Sequence, residues 1–254
     1  MSWRGLSPRR RLLFALVGVV VVALGAVVAV REWPGPATAL APDRPATVLL
    51  VPGFGGDRTA LAPLADRIRA DGRKAVVLTL PGDGTGDLLQ QTQVLDDAVN
   101  TALKGGTSSV DIVGYSAGGV VARLWVANNK GRAQQIVTMG SPLHGTTLAA
   151  EGGALAPGAC PTACRQLAPG SAVLAPIAGA ADIPWVSIWT EDDQTVTPPD
   201  SARLAGAVNV PLQQVCPGAR VSHEQLPTDP RVIGLVLDGL TGRVPAECPK
   251  EGVS

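Results

Sequence analysis

From residue 46 onward, short uninterrupted apolar runs alternate with longer stretches in which apolar positions recur every three or four residues. Residues 46–51 (ATVLLV) halt at Pro52-Gly53, as a strand buried on both faces should. Thr59 follows as a candidate helix N-cap, with Leu61, Leu64, Ala65 and Ile68 at helical spacing up to Gly72. The unit repeats: residues 75–80 (AVVLTL) read as a strand ended by Pro81-Gly82, and 88–103 carry a helical pattern. Residues 110–113 predict a third strand, 118–127 a helix and 135–139 a fourth strand. Two later runs, 185–189 and 207–212, predict strands, and 231–240 a closing helix. This alternation specifies an α/β fold, a mostly parallel central sheet flanked by helices. In such sheets, chemistry sits beyond the carboxyl ends of the strands.

The pattern lapses between His144 and Ile183 into Gly, Ala and Pro with only short helical possibilities. A stretch of that length inside a domain is usually functional or mobile, and we expect a small cap insertion over the site at about residues 146–182. A passive surface excursion is the alternative.

A different pattern precedes residue 46. Residues 12–30 (LLFALVGVVVVALGAVVAV) are 19 positions without a charge, which as a helix span ~28 Å against the ~30 Å core of a bilayer. Arg4, Arg9, Arg10 and Arg11 lie before them and a neutral Arg31/Glu32 pair after, so the N-terminus is expected in the cytoplasm and everything past residue 31 outside. Ala37-Thr38-Ala39 fits a small-residue cleavage site, but the apolar run is longer than a signal peptide needs. A retained membrane anchor is therefore favoured over a cleaved signal at 1–31, although Arg10-Arg11-Leu12-Leu13 also matches part of a twin-arginine signal. Residues 32–45, with Pro34, Pro36, Pro42 and Pro45, form a stiff tether, and 46–254 the folded domain.

Composition narrows the partners. With 46% hydrophobic and 17% charged residues over 254 positions, the chain can build a core and is neither disordered nor collagen-like. Basic and acidic residues balance at 21 each, yet from residue 33 onward 16 basic face 20 acidic, a surface of about −4 that binds anionic partners poorly. No basic stripe exists and aromatics are few, so no nucleic acid is expected. Cys160, Cys164, Cys216 and Cys248 agree with an oxidising, exported location and permit three pairings. Joining sequence neighbours gives Cys160 with Cys164 and Cys216 with Cys248. A Cys-x3-Cys pair with no nearby His lacks zinc-finger spacing, so no metal is expected.

The residues that carry chemistry begin with Gly114-Tyr115-Ser116-Ala117-Gly118, which directly follows one predicted strand and precedes a helix. Glycines permit a tight strand-to-helix turn that projects Ser116 above the sheet. A serine hydroxyl needs a base, and only His144 and His223 exist. The α/β-hydrolase order of Ser, acid, then His leaves His223 as the base, with His144 ordering the loop at the rim through a ring hydrogen bond. Glu191, Asp192 and Asp193 all follow the strand at 185–189. Asp193 is the expected orienting acid, because it opens a turn that aims inward, with Asp192 next in line. Backbone N–H groups of Ala117 and of Phe54, in Pro52-Gly53-Phe54-Gly55-Gly56, are expected to form the oxyanion hole. The glycine-rich stretch 82–87 is read as a βα turn, since it lacks both a Gly-Lys-Ser/Thr ending and an EF-hand Glu. Trp125, Trp185 and Trp189 are read mainly as core.

Together these residues resemble the class 2 triacylglycerol lipases of bacteria, in the α/β-hydrolase superfamily, over about residues 46–240. The resemblance rests on the Gly-Tyr-Ser-Ala-Gly motif, on Val51 to Gly56, on Pro81 to Asp87, on Gly140-Ser141-Pro142-Leu143-His144-Gly145-Thr146, and on Asp193 with His223. It implies secreted carboxylic-ester hydrolysis through an acyl-enzyme, without a cofactor. Esters of lipids or acylglycerols are the expected substrates, and a monomer is the expected state. Val-Pro-Gly stands where many lipases carry a His-Gly pair at the oxyanion loop. Acyl transfer to an alcohol or envelope sugar by the same triad, a preference for short soluble esters, and a non-catalytic binding module on a hydrolase scaffold are the alternatives.

Overall fold

Each predicted apolar run becomes a strand of a single six-stranded sheet in a computed structural model whose described residues are 46–249. The strands are β1 (Thr47–Val51), β2 (Ala75–Val77), β3 (Val110–Tyr115), β4 (Ala133–Met139), β5 (Trp185–Trp189) and β6 (Val208–Pro211). They lie in the order β2-β1-β3-β4-β5-β6, every pairing parallel. Parallel neighbours need crossover connections. These contain α1 (Ala62–Ala70), α2 (Leu88–Lys104), α3 (Ala117–Asn128), α4 (Thr147–Leu155) and α5 (Thr162–Gln166), while α6 (Leu212–Val215) and α7 (Pro230–Leu240) follow β6.

Alternate residues of a strand face opposite sides, so the sheet feeds two cores. Leu49, Val51, Ile112, Ile136 and Trp185 pack with Leu95 and Val99 of α2 and Val121 and Trp125 of α3. Val48, Leu50, Val113, Val137 and Val186 pack on the other face with Leu64 and Ile68 of α1 and Val232 and Val236 of α7. Trp125, Trp185 and Trp189 are all buried. Indole N–H groups of the first two donate to Asp96 Oδ1 at 3.0 Å and Thr138 Oγ1 at 3.1 Å, and Trp189 lies beneath the Arg203 guanidinium.

Two local expectations are corrected. Thr59 does not cap α1: Asp57 Oδ1 accepts both its N–H (2.8 Å) and its hydroxyl (2.6 Å), residues Thr59–Leu61 make a 3-10 turn, and α1 starts at Ala62. Strand β2 stops at Val77 rather than residue 80, since it lies at the sheet edge with β1 as its one neighbour. At 82–87 the chain turns from β2 into α2, with Asp83 Oδ1 accepting from Thr85 and Asp87 capping Leu89 N–H at 2.9 Å.

Residues 146–182 hold α4, α5 and 3-10 turns at Pro157–Ala159 and Ala175–Ile177. Ala149, Ala163, Leu167, Leu174 and Ile177 extend the core on the α2–α3 side. Polar contacts pin the segment: Ala163 N–H donates to Thr85 O (3.0 Å), Gln166 bridges Leu88 N–H and Asp87, and Arg123 donates to the carbonyls of Gly179 and Ala180. Disulfides join Cys160 to Cys164 and Cys216 to Cys248. Among the described residues no helix is long and apolar enough to cross a membrane. The apolar run at 12–30, the cleavage-site motif and the proline tether lie outside the described residues.

After β1 the chain goes outward to β2, then returns across β1 to β3. Helix α1 therefore leaves β1 on one face and α3 leaves β3 on the other. Between those neighbouring strands the connections diverge, and a crevice opens at their carboxyl ends, where parallel sheets bind ligands.

Candidate active site

Two of the loops at that crevice are Pro52–Gly56, after β1, and the turn at Ser116, after β3. Ser116 adopts φ 52° and ψ −125°, the one positive φ outside glycine among the described residues. Such a backbone costs an L-residue ~1–3 kcal/mol and persists only where packing enforces it. Here the packing is backbone against backbone. A Cβ on Gly118 would overlap the carbonyl oxygens of Val51 and Pro52, one on Gly114 would overlap Gly119, and one on Gly53 would lie 2.9 Å from Ser116 Cβ.

Although Ser116 is the N-cap of α3, its hydroxyl makes no capping bond. Instead Ser116 Oγ lies 3.0 Å from His223 Nε2, and His223 Nδ1 lies 2.7 Å from Asp193 Oδ2. A carboxylate only accepts, so the Nδ1 proton points to Asp193 and the Nε2 lone pair to the serine. The remaining carboxylate oxygen accepts from Thr195 N–H (2.9 Å) and Val196 N–H (2.7 Å). All three side chains are buried, with Ser116 at 8%, His223 at 5% and Asp193 at 4% exposure. Such a relay lets imidazole take the hydroxyl proton while the carboxylate steadies the resulting cation.

The other candidates are separated from this chain of bonds. Asp192 pairs with Arg220 at 3.0 Å and accepts from Gln213 at 3.3 Å. Glu191 is exposed. His144 is exposed, with Nδ1 3.1 Å from the Ser201 carbonyl. Gly53 packs on Ser116, which puts the N–H of Phe54 next in chain to the nucleophile's neighbour. Ala117, first residue of α3, has no intrahelical carbonyl for its N–H. Close by, Glu224 is held below the usual carboxylate range by its own backbone N–H and the Ser222 hydroxyl, against the upward push of burial. Among the described residues no group of three or more His, Cys, Asp or Glu could hold a metal ion.

Sequence reasoning missed the two amides that seat Asp193 and the bond made by Tyr115, whose hydroxyl donates to the His223 carbonyl at 3.2 Å. Asp193-Gln194-Thr195-Val196 did carry a signal for the amides, because Asp side chains commonly accept from backbone N–H groups two residues on.

Comparison with known proteins bears on the fold. The family model of the PGAP1-like alpha/beta domain matches residues 83–157, which include the Ser116 turn. No curated protein matches the sequence. Among solved structures, Aspergillus fumigatus lipase B is similar at TM-score 0.65 and 20% identity over 80% of this chain, which spans only 54% of that one. The mature form of Bacillus licheniformis lipase BlEst2 is similar at TM-score 0.58 and 16% identity, with 83% and 95% of the two chains covered. A monoacylglycerol lipase from Paleococcus ferrophilus is similar at TM-score 0.56 and 14% identity, with 80% and 96% covered. The protein has the α/β-hydrolase fold.

Proposed function

We propose that this protein is a serine carboxylic-ester hydrolase of the bacterial class 2 lipase type, acting on lipid or acylglycerol esters outside the cytoplasm. The observation that carries the reading is the unbroken chain from Ser116 through His223 to Asp193 at 3.0 and 2.7 Å, mounted on a strained turn. Neighbours named as lipases and a monoacylglycerol lipase support the substrate class. Two disulfides are compatible with the compartment.

Ser116 Oγ attacks the ester carbonyl carbon as His223 Nε2 takes the hydroxyl proton. Negative charge gathers on the former carbonyl oxygen, where the N–H groups of Phe54 and Ala117 receive it; a donor of this kind is worth ~3–4 kcal/mol of barrier. The intermediate collapses, the bond to the alcohol oxygen breaks, and His223 returns the proton to the leaving alcohol. Water then repeats the sequence on the acyl-enzyme and releases the acid. Asp193 stays ionised throughout and holds the imidazole in the needed tautomer.

The test is labelling by a fluorophosphonate followed by peptide mass spectrometry. An adduct on Ser116 that is lost in His223→Ala is the expected result. Full esterase activity in Ser116→Ala overturns the reading.

A further inference from the structure

His223 enters the site on a stretch of turns between α6 and α7, with no regular element to hold its main chain. Asp193 fixes the ring through Nδ1, but a ring bond alone leaves the backbone free to carry Nε2 away from Ser116. Two donors meet the His223 carbonyl: Leu226 N–H, from the same turn, at 3.2 Å, and the Tyr115 hydroxyl, also at 3.2 Å. Leu226 moves with the turn. Tyr115 does not, because it is the last residue of β3, paired with Met139 of β4 near the middle of the sheet.

Tyr115 also makes contacts on both sides of the crevice. Its ring centroid lies 5.3 Å from that of His223 at 31°. A Cβ on Gly53 would come 3.4 Å from Tyr115 Cδ1, so the same ring borders the turn that presents the Phe54 N–H. One side chain, covalently next to Ser116, thereby touches both the histidine loop and the oxyanion turn.

Resting on the proposed hydrolase reading, we infer that Tyr115 is a positioning residue: its hydroxyl ties the His223 main chain to β3 and so fixes the distance from Nε2 to Ser116 Oγ. Misplacement by about 1 Å costs catalysis up to ~10²-fold, so a single bond that holds the imidazole in register has a visible kinetic effect. Burial holds the phenol protonated far above its ordinary range, with Glu224, Asp193 and Asp57 adding to the push. It therefore remains a donor wherever the imidazole is active.

The experiment compares the full-length protein with Tyr115→Phe, which keeps the ring and removes the donor. Three readouts are taken: kcat and KM on a soluble ester, the pH–rate profile, and the low-field proton resonance of the His223–Asp193 bond. Expected are a kcat lower by roughly 3- to 10-fold, the effect of one net hydrogen bond, with KM unchanged, and a resonance broadened by exchange. A sharp resonance as in wild type overturns the inference, whether or not kcat falls, since any kinetic loss would then not pass through the histidine. Ser116→Ala run alongside separates the two readings. Its survival as an active hydrolase removes the ester-hydrolase proposal, while the resonance still decides Tyr115.

Discussion

Three carboxylates follow β5 in direct succession, and what sets them apart is where each one's lone pairs are satisfied. Asp193 is turned inward by two backbone amides and meets the imidazole, whereas Asp192 is held at the surface by Arg220 and Gln213. An Asn at 193 could offer its N–H₂ to the ring and stabilise the wrong tautomer. Asp193→Asn is therefore expected to lower kcat roughly 10³- to 10⁴-fold, as loss of a triad acid does, while Asp192→Asn stays within about 2-fold. Steady-state kinetics of the two variants on one soluble ester checks this, and equal losses would mean the acid is misassigned. Residues at this scale were legible where a motif constrains them. Ser116 is announced by its glycines and setting, His223 by there being two histidines and one workable order. Tyr115 was not, because the second position of Gly-x-Ser-x-Gly is free and its bond reaches a main-chain carbonyl 108 residues away. Nothing in a side-chain pattern reports such a partner.

Helices delimit the loops that carry these residues, so their caps matter to the site. Helix α7 begins seven residues after His223, and its N-cap Asp229 accepts from the N–H groups of Arg231 (2.9 Å) and Val232 (3.3 Å) while pairing with the Arg231 guanidinium at 2.7 Å. Burial pushes its pKa up, but the hydrogen bonds from Arg231 and Val232 and the Arg231 charge outweigh that, and the net shift is downward. A carboxyl whose folded pKa is depressed stabilises the fold above its unfolded value of ~3.9, and loses that contribution as pH falls through the folded value. Asp229→Ala should thus cost ~1 kcal/mol at pH 7, with the deficit shrinking as pH falls below 4. Urea unfolding of both proteins at pH 7 and pH 3 measures it, and an equal deficit at the two pH values would refute the electrostatic part. Element identities were readable because a buried strand and an amphipathic helix each impose a period on the sequence. Boundaries were less so: the end of β2 depends on its edge position, and the start of α1 on the 3-10 turn that Thr59 opens with its N–H and hydroxyl on Asp57. Helices α4 and α5 lack an apolar stripe, and contacts with α2, α3 and the Asp87 loop hold them, which no local period encodes.

At the scale of the molecule, sheet order and disulfides do complementary work. Reversal of strand order between β1 and β3 opens the crevice, and the sheet's two cores anchor the elements that line it. Beyond β6, however, the chain runs through residues 216–229 largely as turns, and His223 lies on that segment. Cys216, at the end of α6, and Cys248, beyond α7, are 32 positions apart and enclose both His223 and α7 between them. Cys160 and Cys164 enclose only a turn of the segment after α4. By loop entropy the long closure is worth ~3–4 kcal/mol and the short one ~2, in a fold whose total stability is of order 5–15 kcal/mol. Replacing Cys216 and Cys248 together by Ser should accordingly shift the denaturant midpoint well beyond the shift from replacing Cys160 and Cys164. Its first functional consequence should be a slower fluorophosphonate reaction at Ser116, because the loop bearing the base is the part released. Equilibrium unfolding gives the first comparison and labelling rates in native buffer the second. If the pair of variants unfold alike and label alike, the long disulfide is not what keeps the histidine segment on the sheet, and the Tyr115 bond and the α7 core must suffice alone.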